Sequence, residues 1–129
     1  MTTPIQPHVK ERLGEFLNLE LYAIETTWTG SLEEMQEKAQ AHLDHQVDLE
    51  RRGILFAAGP LFEPDSPRFP PAAGLIVVRA NNFEEATKIA DSDPMHIAGL
   101  RSYSIRKWII NEGQLNLSVQ LSDQKVRFK

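Results

Sequence analysis

The sequence predicts an α+β fold in which a four-stranded antiparallel sheet carries two helices on one face. Three observations predict it. Residues 19–27 (LELYAIETT) and 75–79 (LIVVR) are rich in strand formers, the second being a nearly continuous β-branched run suited to a central strand. Two helical stretches, 31–52 and 83–91, each open on a capping residue. The order strand, helix, strand, strand, helix, strand is the split βαβ arrangement.

Taken in order, residues 1–7 form a polar lead-in and HVKERLGEFLNL a short helix with Val9, Leu13, Phe16 and Leu17 on one side. Trp28 and Gly30 close the first strand. Ser31 and Glu34 make the reciprocal pattern of a capping box, and Leu32, Met35, Ala39, Leu43 and Val47 fall on one stripe of the helix it opens. His42 lies at the edge of that stripe and His45 further round toward water. Gly53 ends the helix, and a short strand, ILFAA, is expected to stop at Gly59-Pro60 because proline donates nothing to a ladder.

The proline-rich segment LFEPDSPRFPPAAG reads as a connecting loop of the kind that walls ligand sites. Asn81 or Asn82 caps the second helix, whose core side is Phe83, Ala86, Ile89 and Ala90. Asp93, Pro94 and Gly99 have the cap, first-position and exit spacing of one further helical turn. RSYSIRKWII is the last core strand, with Tyr103, Ile105 and Trp108 as bulk. The tail alternates Leu115, Leu117, Val119 and Leu121 and turns at Ser122-Asp123, an extra C-terminal β-hairpin. The expected division is an N-terminal extension (1–18), a main domain (19–110) and a strand-rich tail (111–129).

A chain of 129 residues with 41% hydrophobic and 25% charged residues suits a single core. No apolar run approaches the length of a membrane span. A net charge of −4 with dispersed Lys and Arg gives no nucleic-acid footprint. The absence of cysteine removes disulfides, thiolate metal sites and thiol nucleophiles. The N-terminus lacks the basic-then-apolar order of a secretory signal, so the expected location is cytoplasmic. A sheet with helices on one face leaves the other face bare, and pairing into a twofold dimer is the simplest way to cover it.

AHLDHQVDLERRGILFAAGP at 41–60 and EEATKIADSDPMHIAGL at 84–100, with the spacing between them, resemble the YciI-like (YCII-related) family of the dimeric α/β-barrel, ferredoxin-like superfamily. The resemblance covers about 19–110. It implies a ferredoxin-like βαββαβ domain, a dimer and a pocket in which a helix histidine pairs with the aspartate of the Asp-Pro dipeptide. By distance to the helix-ending glycine that histidine is His42, and the aspartate is Asp93. Superfamily relatives include lactone isomerases and a dehydrochlorinating enzyme of aromatic degradation. Where many members carry an aromatic residue after Asp-Pro, this chain has Met95 and then His96.

A histidine and a carboxylate together shuttle a proton, which isomerisation or elimination beside a carbonyl requires. The residues alone favour a blander alternative, a boundary histidine and a helix cap. Arg101 or Tyr103 on the last strand would bind a substrate carboxylate or enolate if it faced the pocket. Ser66 and Arg68 in the proline-rich loop, and His96 at the rim, are further ligand-binding candidates. His42 and His45 with Asp48 make only a weak metal pattern, since no third organised ligand follows. Neither a metal nor a cofactor is expected. The function so read is a small lyase or isomerase acting on a cyclic or unsaturated carbonyl acid. The alternatives are a non-catalytic ligand-binding or accessory subunit that keeps the pocket and a structural dimer module.

Overall fold

The first strand, β1 (Leu19–Trp28), and the long helix α2 (Leu32–Arg51) meet at Ser31, whose hydroxyl accepts from the Glu34 N–H at 3.2 Å. The structure is a computed structural model and describes residues 2–65 and 72–128. Two compact units divide it, residues 20–108 and residues 1–19 with 109–129.

In the larger unit β1 is followed, after α2, by β2 (Leu55–Leu61) and β3 (Ala73–Val78). Then come α3 (Phe83–Asp91), α4 (Pro94–Ile97) and β4 (Arg101–Ile110). The strands lie in the order β2-β3-β1-β4, the ferredoxin-like antiparallel sheet. β1 pairs β3 with Tyr22 opposite Val78 and Ile24 opposite Ile76. These four residues face the helices and pack on Ala86 and Ala90 of α3. Tyr103 and Ile105 of β4 close the same core. The capping of α3 falls to Asn82, which accepts from the Glu85 N–H at 2.8 Å while the Glu85 carboxylate accepts from the Asn81 N–H.

Four local expectations change. β2 does not stop at Gly59-Pro60 but runs through to Leu61, with Pro60 opposite Gly74. β2 is an edge strand, where the missing proline donor breaks no ladder. The apolar stripe of α2 is rotated: Leu32, Leu43 and Val47 are exposed, and the inward line runs through Met35, Ala39, His42, Gln46 and the buried Leu49. The face of the sheet opposite the helices is not wholly bare, since Leu21, Ala23 and Val77 are buried. Phe83 and Trp108, expected in the core, are half exposed, although Phe83 packs edge-on against Tyr22 with ring centroids 5.0 Å apart.

In the smaller unit α1 (Pro7–Gly14) has Pro at its start, and β5 (Leu117–Gln120) pairs β6 (Lys125–Phe128) in a hairpin. Its register sets Leu117 opposite Phe128 and Val119 opposite Val126.

Candidate functional site

Two helical elements build the site. α2 presents His42 and, one turn on, Gln46 from the same face. α4 is a single turn anchored by Met95, which is 1% exposed, and its N-cap is Asp93. An N-cap carboxylate accepts backbone N–H groups, and Asp93 Oδ1 accepts from the Met95 N–H at 2.9 Å.

His42 Nδ1 lies 2.9 Å from both carboxylate oxygens of Asp93. Gln46 Nε2 donates to Asp93 Oδ2 at 3.2 Å. Three N–H donors therefore converge on the Asp93 carboxylate, the one from His42 shared between its two oxygens. Asp93 is only 2% exposed. Burial by itself raises its pKa, but the hydrogen bond and positive field of His42, with the Met95 N–H, outweigh it and hold the carboxyl below its ordinary 3.8. An ionised Asp93 only accepts, so Nδ1 of His42 carries a hydrogen and Nε2 is left to exchange a proton.

His42 and Gln46 line a cavity of about 530 Å³ between α2 and the strands β2 and β3. Its walls are mainly apolar, with Leu43, Leu55, Phe56, Ile76 and Trp28 among them. Thr26 and Arg101 supply further polar groups. Arg101 opens β4 just past Gly99, whose φ of +72° ends the α4 turn. Asp93 and Arg101 thus flank one short helical turn. Burial lowers the Arg101 pKa, and the negative charge of Asp93 opposes that shift.

Of the residues singled out in the sequence, His42, Asp93 and Arg101 come together here. Tyr103 does not line this cavity: its hydroxyl donates to Asp91, which raises its pKa to about 12, and its ring packs on His96 at 4.8 Å. His96 lies behind the pair rather than at the rim, with Nδ1–H donating to the Ala90 carbonyl at 2.6 Å. It lines a small second hollow shared with Asp93, Gln46 and His45. His45 is half-buried rather than directed to water, its Nε2 3.2 Å from the Ser92 hydroxyl. Ser66 and Arg68 lie outside the described residues. Among the described residues no group of three or more His, Asp or Glu is placed to hold a metal ion.

Gln46 is the residue that sequence reasoning missed. Its signal was its spacing: four residues after His42 on a helix, it had to point the same way.

This fold is that of a small α+β domain with a histidine-aspartate pair beside a cavity. The YCII-related domain model matches residues 21–109, and the chain belongs to that family. Among solved structures, it is similar to the 5-chloro-2-hydroxyhydroquinone dehydrochlorinase from Burkholderia phenoliruptrix AC1100, determined in complex with 2,5-dihydroxybenzoquinone. That match has a TM-score of 0.58 and 21% identity, covering 68% of this chain and 92% of the other. No curated protein matches the sequence. No helix among the described residues is long and apolar enough to cross a membrane.

Proposed function

We propose that the protein is a cofactor-independent lyase or isomerase that moves a proton on a cyclic or unsaturated carbonyl acid, of the kind met in aromatic-compound degradation. The observation that carries this reading is the contact of Nδ1 of His42, which lines the cavity, with both oxygens of a buried, ionised Asp93. In the forward step Nε2 takes a C–H proton from the carbon beside the carbonyl. The electron pair released forms the new double bond. Asp93 stabilises the imidazolium so formed, and proton transfer by a well-placed general base contributes about 10²–10⁴ in rate.

Two outcomes then balance. If the adjacent carbon carries a leaving group such as halide, that group departs with its electron pair and the proton goes on to solvent. If it does not, the imidazolium returns the proton to a different carbon and the product is an isomer. The structural likeness to a dehydrochlorinase supports the elimination branch. A twofold dimer belongs to the same reading, supported by the exposed Phe56 and Trp108.

The test is turnover of a panel of lactones and halogenated ring acids. The parent should act on at least one, and His42→Ala and Asp93→Asn should each lose that activity while keeping the fold. If the parent binds such acids yet converts none, a non-catalytic ligand-binding protein is the better reading.

A further inference from the structure

Arg101 holds a charge that nothing described in the protein uses. The arginines whose side chains donate hydrogen bonds among the described residues are Arg52, Arg79, Arg106 and Arg127. None of the ion pairs among those residues involves Arg101. The negative charge that acts on it is Asp93, across the α4 turn, whose carboxylate accepts from His42, Gln46 and the Met95 N–H. Asp93 steadies Arg101 through its field, with no hydrogen bond between the two side chains. The guanidinium is half-buried and lines the cavity that His42 lines.

A half-buried guanidinium gives up part of its hydration, and an anion with two acceptor oxygens restores the lost bonds through two parallel N–H donors. The mainly apolar lining suits a hydrocarbon body rather than a polar one. Among the described residues of the lining, the other full formal charge is on Glu50, which is exposed.

We infer that Arg101 is the anion-recognition residue of this cavity and that its ligand is a small unsaturated or aromatic molecule with an ionised oxygen acid, carboxylate or enolate. This rests on the proposed proton-transfer site and gives it a substrate charge and an orientation. The ionised oxygen sits on Arg101, the ring lies against Leu55, Phe56 and Ile76, and a carbon is presented to His42. It follows that neutral analogues of the same shape are discriminated against, because they leave the guanidinium unpaired in a largely apolar pocket.

The test measures binding only, so it reads independently of turnover. Trp28 lies in the cavity wall, and in a Trp108→Phe background its fluorescence reports occupancy. The probes are benzoate, its neutral isostere benzamide, and the enolate of cyclohexane-1,3-dione. Benzoate or the enolate should bind at least tenfold more tightly than benzamide, the better of the two showing which anion the site takes. Arg101→Met should lose that preference, and Arg101→Lys should keep part of it. Circular dichroism and melting of each variant separate loss of binding from loss of fold. Equal binding of benzamide, no binding of either anion into the millimolar range, or a folded Arg101→Met variant that still prefers the anion would overturn the assignment. Failure of the catalytic reading alone would leave an anion preference without any conversion.

Discussion

Nδ1 of His42 and the two carboxylate oxygens of Asp93 are all within 2.9 Å, although fifty-one positions separate the two residues along the chain. A carboxylate that receives one N–H on both oxygens fixes the imidazole plane and its tautomer together. In the neutral state the Nδ1–H tautomer of His42 should dominate. Nitrogen NMR of the parent should show this single tautomer, and Asp93→Ala should show a mixture if that variant retains the fold. A mixture in the parent would remove the orienting role of Asp93.

Gln46 makes the next prediction. Its Nε2 donates to Asp93 while its Oε1 is buried without a partner among the described residues. An unpaired buried acceptor costs about 1–3 kcal/mol, so this side chain serves the carboxylate at the expense of stability. Gln46→Leu removes both the donor and the orphaned acceptor. Its melting temperature should stay within a few degrees of the parent, while proton transfer slows because the Asp93 carboxylate loses one of the donors that orient it. A large loss of stability with unchanged rate would mean that Gln46 is only a packing residue.

The pH dependence of stability follows from Asp93. Its folded-state pKa is depressed, so the stability it contributes is complete above the unfolded value near 3.8 and is lost as pH falls through the folded value. Acid titration of the parent should therefore show a loss of stability below about pH 4 that is smaller in Asp93→Asn. The comparison is read from chemical denaturation at a series of pH values, and identical slopes in the two proteins would count against the paired carboxylate.

Much of this architecture could be read from local chemistry. Ser31, Asn82 and Asp93 are caps that act within three residues, so their sequence signals survive in the structure. The positive φ at Gly53 and Gly99 likewise follows from the need to leave a helix. What was not legible depends on neighbours distant in the chain. Pro60 looks like a strand terminator until the strand is known to lie at the sheet edge. The stripe of α2 was misplaced because an apolar wheel assigns the inward face to Leu43 and Val47, whereas the inward positions are given to His42 and Gln46. That displacement of apolar residues by polar ones marks a site, and it is visible only once Asp93 is found opposite.

Gly30 tests how the turn after β1 is held against the turn before β4. The Leu100 carbonyl accepts from the N–H groups of Thr29 at 2.8 Å and Gly30 at 3.1 Å. A Cβ at Gly30 would stand 2.6 Å from Leu100 Cδ2 and 3.3 Å from its Cα. Leu100 is 3% exposed and has little room to move. Gly30→Ala should cost about 1–3 kcal/mol in a denaturation experiment, the scale of overpacking in a close-packed region. An unchanged midpoint would show that the turn relaxes freely.

The most direct measurement is solvent deuterium uptake at the carbon beside the carbonyl of a bound cyclic enone acid, followed by NMR in heavy water. It reads removal of the C–H proton without requiring the leaving group to be known. Uptake should be catalysed by the parent and be at least a hundredfold slower in both His42→Ala and Asp93→Asn, in line with the loss of a general base. Uptake at the parent rate in those two variants, or none in the parent while the acid is bound, would contradict it.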